Sequence, residues 1–97
     1  MMQLKAKNDG LNLMQIKEIL RQFLSDNFAS ASNVKIEDDH SLLQLGIIDS
    51  LSLVSIISYI EEEFYIKVSP KDFFPGNFDT IAKAAEYIMA RLKGTQA

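Results

Sequence analysis

The 97 residues contain no cysteine and no tryptophan, one histidine, two prolines and four glycines. Without thiols the chain can form neither a disulfide framework nor a thiolate metal site, and one histidine among scattered carboxylates is a poor basis for a structural metal. Positive charge is also short. Ten Lys and Arg stand against thirteen Asp and Glu, a formal charge of −3, and no basic cluster is interleaved with aromatics. Nucleic acid is therefore not an expected partner. No window approaches the roughly 18 uninterrupted apolar residues of a membrane span. The start, "MMQLKAKNDG", lacks the apolar core of a signal peptide. These absences predict a cytoplasmic chain with no metal and no membrane partner.

What the sequence does have is apolar content, 47% of its residues. A chain of this length suits one compact domain that buries roughly 60–68% of its unfolded surface, and is too short for two. A cleft between domains is thereby excluded. The expectation is a single domain over 1–97, with flexible tails at 1–10 and 94–97.

From Leu13 the apolar residues Ile16, Ile19, Leu20, Phe23, Leu24 and Phe28 recur at spacings of three and four, which puts them on one helical face with Asn12 as N-cap. Residues 29–49 lose that period. They begin "ASASN" and include "EDDHS", so they read as a long loop pinned by Val34, Ile36, Leu42, Leu43 and Leu45, with room for a short turn near Leu42. Such long loops in compact domains are usually functional or disordered. Over 50–64 the side chains of Leu53, Ile56, Ile57, Ile60 and Phe64 fall on one arc of a second helix, with Asp49 as its N-cap.

Ser69 followed by Pro70 is a start signal for a short third helix running to about Phe74, where "PGN" should stop it. A last helix beginning between Asn77 and Thr80 carries Ile81, Ala84, Ala85, Ile88 and Leu92 on one stripe, with Gly94 just past its end. The pairs Ile47-Ile48 and Ile56-Ile57 lack the sustained alternation of a strand. The fold class is all-α: three longer helices and one short one, joined by a long first loop and packed as a four-helix bundle.

The densest local signal is "LGIIDSLSLV", residues 45–54. Its plain reading is structural, with Gly46 making a turn, Asp49 capping and Ser50 taking the first helical position. Its functional reading is that the Ser50 hydroxyl is an attachment point outside the apolar arc. A phosphodiester there would meet unpaired backbone N–H groups and the positive end of the helix dipole. A hydrolytic triad of Ser50, His40 and Asp49 is disfavoured, because Asp49 is adjacent to Ser50, His40 lies in a polar loop, and no strand-to-helix elbow precedes the serine. The acids Glu37, Asp38 and Asp39 lack the spaced ligands of a calcium loop and read as a solvated segment that could cap the turn near Leu42. On the helical wheel Leu51, Val54, Ser55, Ser58, Tyr59 and Glu62 point away from the buried stripe. With Glu61 they outline a small apolar docking patch with a charged rim. The run 61–63 serves equally well as a solvated face.

The stretch "LGIIDSLSLVSIISYIEEEFYIKV" resembles the acyl carrier and peptidyl carrier proteins, whose hallmark is Asp-Ser-Leu at the start of the second helix of a four-helix bundle. The resemblance runs from about Ile16 to Leu92 and rests on Asp49-Ser50-Leu51, Val54, "EEEF", "IKV" and the helix and loop lengths. It implies that a phosphopantetheinyl transferase, using coenzyme A and Mg²⁺, places 4'-phosphopantetheine on Ser50, beside the helix cap Asp49. The arm's thiol would hold acyl or aminoacyl intermediates as thioesters. The carrier performs no catalysis; it presents its cargo, as a monomer, to a loading ligase and to downstream transferases or synthases. Cysteine is dispensable because the thiol comes with the cofactor.

Carriers of fatty acid synthesis usually have acids where this chain has Ser52 and Ser55. Its "GIIDS" and "PGNFDTI" look more like free-standing D-alanyl, aminoacyl or specialised biosynthetic carriers, and the resemblance leaves a fatty acid, polyketide, nonribosomal peptide or aminoacyl pathway open. The competing expectation is an unmodified interaction module with the same fold.

Overall fold

The computed structural model describes residues 11–28, 31 and 35–94. Among them lie four α-helices and no strand: α1 (Leu13–Asn27), α2 (Ser50–Phe64), α3 (Pro75–Phe78) and α4 (Ile81–Gly94), with a 3-10 turn at Pro70–Asp72. The all-α bundle read from the sequence is the observed fold. Val34 and the tails at 1–10 and 95–97 lie outside the described residues.

Each long helix starts on a capped residue. Asn12 accepts the Gln15 amide at 2.8 Å while the Gln15 side chain accepts the Asn12 amide at 2.9 Å, a reciprocal pair that satisfies two donors at the open end of α1. Asp49 accepts the Ser52 amide at 2.8 Å, and Thr80 accepts the Lys83 amide at 3.0 Å. Helix α4 therefore starts after Thr80, and it retains Gly94 as its last residue.

The stripes bury as the periodicity predicts. Leu53, Ile56, Ile57, Ile60 and Phe64 of α2 meet Ile81, Ala84, Ala85, Ile88 and Leu92 of α4 and Ile16, Leu20 and Leu24 of α1 in one core. Ile19, Phe23 and Phe28 border it, half-buried. Full burial of side chains such as Ile60 or Phe64 contributes about 1.5–3 kcal/mol each. Phe23 also stacks on Tyr59, ring centroids 3.8 Å apart, which joins α1 to α2.

Three local expectations need correction. Leu45 does not pin the long loop; it is exposed, whereas Ile36 and Leu42 are buried and Leu43 is half-buried. The acids at 37–39 are not simply solvated, because Asp38 pairs with Lys17 at 3.1 Å and with Arg21, both on α1. The turn at 42–46 is capped instead by Ser41, whose hydroxyl accepts the Gln44 amide at 3.1 Å. Finally, "PGN" starts a helical turn rather than ending one. Pro75 forces Phe74 into an extended conformation, which limits the preceding segment to a 3-10 turn, and its own ring preorganises the first position of α3. Ser69 makes no side-chain cap bond there. The 3-10 turn is tied to α4 by Tyr87, whose hydroxyl donates to Asp72 at 2.7 Å.

Candidate functional site

The approach to α2 is set by a sequence of local requirements. Gly46 has φ +76°, a left-handed conformation that strains any side-chain-bearing residue, although the space around it is open. The chain then turns inward at Ile47 and Ile48, both 5% exposed, and emerges at Asp49 and Ser50, both exposed. Two buried isoleucines thus hold the base of the site while the serine stands at the surface.

Asp49 keeps α2 in place. The Ser52 amide, and after it the Ser52 hydroxyl, donate to the Asp49 carboxylate and hold its pKa below the ordinary 3.8, so it is ionised at neutral pH. Its main-chain carbonyl accepts the Leu53 amide at 3.1 Å. This corrects the picture of an open set of amides waiting for a phosphate. Asp49 already occupies those of Ser52 and Leu53, and its charge stands beside Ser50. Both side chains are exposed, so a second negative group beside Asp49 would be screened by solvent.

The candidate docking residues divide. Leu51 at 81% exposure and Val54 at 54% are the large apolar side chains of α2 that face outward, and Ser55, Ser58 and Glu62 are exposed with them. Tyr59, expected outward, lies half-buried against Phe23. Burial, with the carboxylates of Glu63 and Asp26, pushes its phenol up to about 12, so it is uncharged at neutral pH. Glu61 is half-buried, and its carboxylate accepts the Val68 amide at 2.9 Å. That bond ties the end of α2 to the segment after it and leaves Glu62 as the exposed acid of the pair.

The groups that a triad would need are committed elsewhere. The His40 Nδ1 accepts the Glu37 amide at 3.1 Å, closing its own turn, and the Asp49 carboxylate holds Ser52. Among the described residues no three of His, Cys, Asp and Glu gather closely enough to hold a metal ion.

The residue that sequence reasoning missed is Asp79, between α3 and α4. Its carboxylate accepts the Ser41 hydroxyl and the Leu43 amide, the latter at 2.9 Å, and its carbonyl accepts the Leu42 amide at 2.8 Å. An acid just before a predicted helix start looks like an ordinary cap, and nothing in the sequence signals a partner 36 to 38 positions upstream.

An all-helical bundle that places an exposed serine at the first position of a capped helix, with exposed apolar residues beside it, has the form of a carrier-type domain. The chain belongs to the family described as the phosphopantetheine attachment site, whose model matches residues 15–88. It is a carrier domain of the kind to which 4'-phosphopantetheine is attached covalently. Among curated proteins, none matches the chain.

Proposed function

We propose that Ser50 bears the 4'-phosphopantetheine and that the protein is a carrier of acyl or aminoacyl groups in a dedicated biosynthetic pathway. The observation that carries this reading is the placement of Ser50, an exposed hydroxyl at the first position of α2, held between a buried Ile47-Ile48 base and an exposed Leu51 and Val54. When bound, the arm supplies a thiol that holds the cargo as a thioester. The residues of the chain supply position. Asp49 fixes the start of α2, so that Ser50 projects from a defined point. Leu51, Val54, Ser55, Ser58 and Glu62 give the transferase, the loading ligase and the downstream synthases a shared surface next to the arm, with Glu61 as a support of its far end. Docking there turns delivery of the cargo into an intramolecular encounter at high effective concentration.

Incubation with coenzyme A, Mg²⁺ and a broad-specificity phosphopantetheinyl transferase should add one phosphopantetheine by intact mass. Ser50→Ala should abolish the addition. An unchanged wild-type mass would overturn the assignment and favour an unmodified docking module.

A further inference from the structure

We propose that Asp79 is the positioning residue that holds Ser50 in the geometry the transferase recognises, an inference that rests on the reading of Ser50 as the attachment site. Asp79 is half-buried at the junction of α3 and α4, and its carboxylate and carbonyl both bond to one short segment of the long loop. One carboxylate oxygen takes the Ser41 hydroxyl, the other takes the Leu43 amide, and the carbonyl takes the Leu42 amide. Three consecutive residues are thereby fixed from a single position. Their donors are part-buried or buried, so an uncompensated loss leaves polar groups without partners, which is the costly outcome for a hydrogen-bonded site.

The constraint passes on to the serine. The Leu42 carbonyl accepts the Ile47 amide at 3.0 Å and the Ile48 amide at 3.4 Å, so the residue whose amide Asp79 holds also sets the two residues before Asp49. From Ile48 the chain goes directly into the Asp49 cap and Ser50. A second tie runs in parallel: the Ala82 amide of α4 donates to the Asp38 carbonyl at 2.9 Å, and the Asp38 carboxylate pairs with Lys17 and Arg21 of α1. That tie anchors the loop upstream of Ser41 and reaches neither Leu42 nor Ile47. Asp79 is therefore the contact that links α4 to the entrance of α2, while the Asp38 pairing holds the loop as a whole.

Without the Asp79 carboxylate the main-chain bond to Leu42 remains, but Ser41 and Leu43 on either side of it are released, so the segment 41–48 keeps its buried isoleucines and gains conformations in which Ser50 is displaced. If only a fraction of the molecules present the serine correctly, the apparent affinity of the transferase falls by that fraction, while turnover at saturating carrier is retained. Displacements of about 1 Å are enough for losses of up to about a hundredfold.

The test uses the full chain as Asp79→Ala, Asp79→Asn and Ser41→Ala, compared with wild type at a temperature where all show the same far-UV circular dichroism. Asp79→Ala should speed amide exchange at Ile47 and Ile48 and leave Leu20 and Ile88 protected. It should also raise the KM for carrier in phosphopantetheinyl transfer on the order of tenfold with kcat retained. Asp79→Asn keeps an acceptor for Leu43 and a partner for Ser41, and should restore both readouts. Ser41→Ala, which leaves α4 untouched, should give a smaller effect of the same kind and serves if Asp79→Ala fails to fold. Unchanged exchange at Ile47 and Ile48 would overturn the part given to the Asp79 carboxylate in that tie, whether or not Ser50 is modified. Faster exchange with an unchanged KM would overturn the link to Ser50 alone. A wild-type chain that takes up no phosphopantetheine would instead remove the reading of Ser50 on which the link depends.

Discussion

At the scale of single residues, two carboxylates make the fold sensitive to acid. Hydrogen bonds from Arg21 and then Lys17 lower the pKa of Asp38, and the Ser52 amide lowers that of Asp49, each from an ordinary 3.8. A lowered folded-state pKa contributes stability that is fully present above the unfolded value and is lost as pH falls through the folded one. The melting temperature should therefore hold from neutral pH to near 3.8 and drop below it. Asp38→Asn and Asp49→Asn should each melt lower than wild type at neutral pH, and the gap should close in strong acid; a gap that persists there would show that something other than ionisation is lost. Of these roles the Asp49 cap was legible in the sequence, since a short acid before an amphipathic run has a local meaning. The roles of Asp38 and Asp79 were not, because their partners are 17 or more positions away in the chain.

At the scale of the elements, α2 has two faces with opposite tolerances. Val54→Asp should leave stability within about 0.5 kcal/mol and weaken transferase recognition, because the side chain is half in solvent and belongs to the proposed docking face. Ile57→Ala, 2% exposed, should cost about 2–5 kcal/mol in denaturant unfolding. A large loss from Val54→Asp would place that residue in the core. Spacing alone located the bounds of α2 and its buried stripe, because period and burial follow from the same geometry. It misjudged Tyr59, since a wheel shows direction from one helix axis and carries nothing about Phe23 on a neighbour. It also misplaced the short third helix, because a proline reads equally as an end of the segment before it and a beginning of the one after.

At the scale of the whole molecule, the described helices close tightly on one another where α1, α2, α3 and α4 meet. The void bordered by Leu20, Phe23, Leu42, Ile56, Phe78 and Ala84 is about 10 Å³, at the limit of what holds one water. A long acyl chain cannot enter there without parting those helices, so cargo on the arm is expected to stay out of this part of the core. Loading with either a long acyl or an aminoacyl group should then shift amide resonances near Ser50 and leave those of Leu20, Ile56 and Ala84 in place; shifts in the interior would refute this. The tie from Asp79 to Ser41 and Leu43 has one more consequence, in the order of assembly. It closes a loop of 36 to 38 positions around α2, at an entropic cost of about 3 kcal/mol. During synthesis Ser50 leaves the ribosome well before Asp79 does, so α2 can form early while its entrance is still loose. On the proposed role of Asp79, the surface a transferase reads would be finished only when the start of α4 has been made, and an incomplete copy of the chain should be a poor recipient for the cofactor.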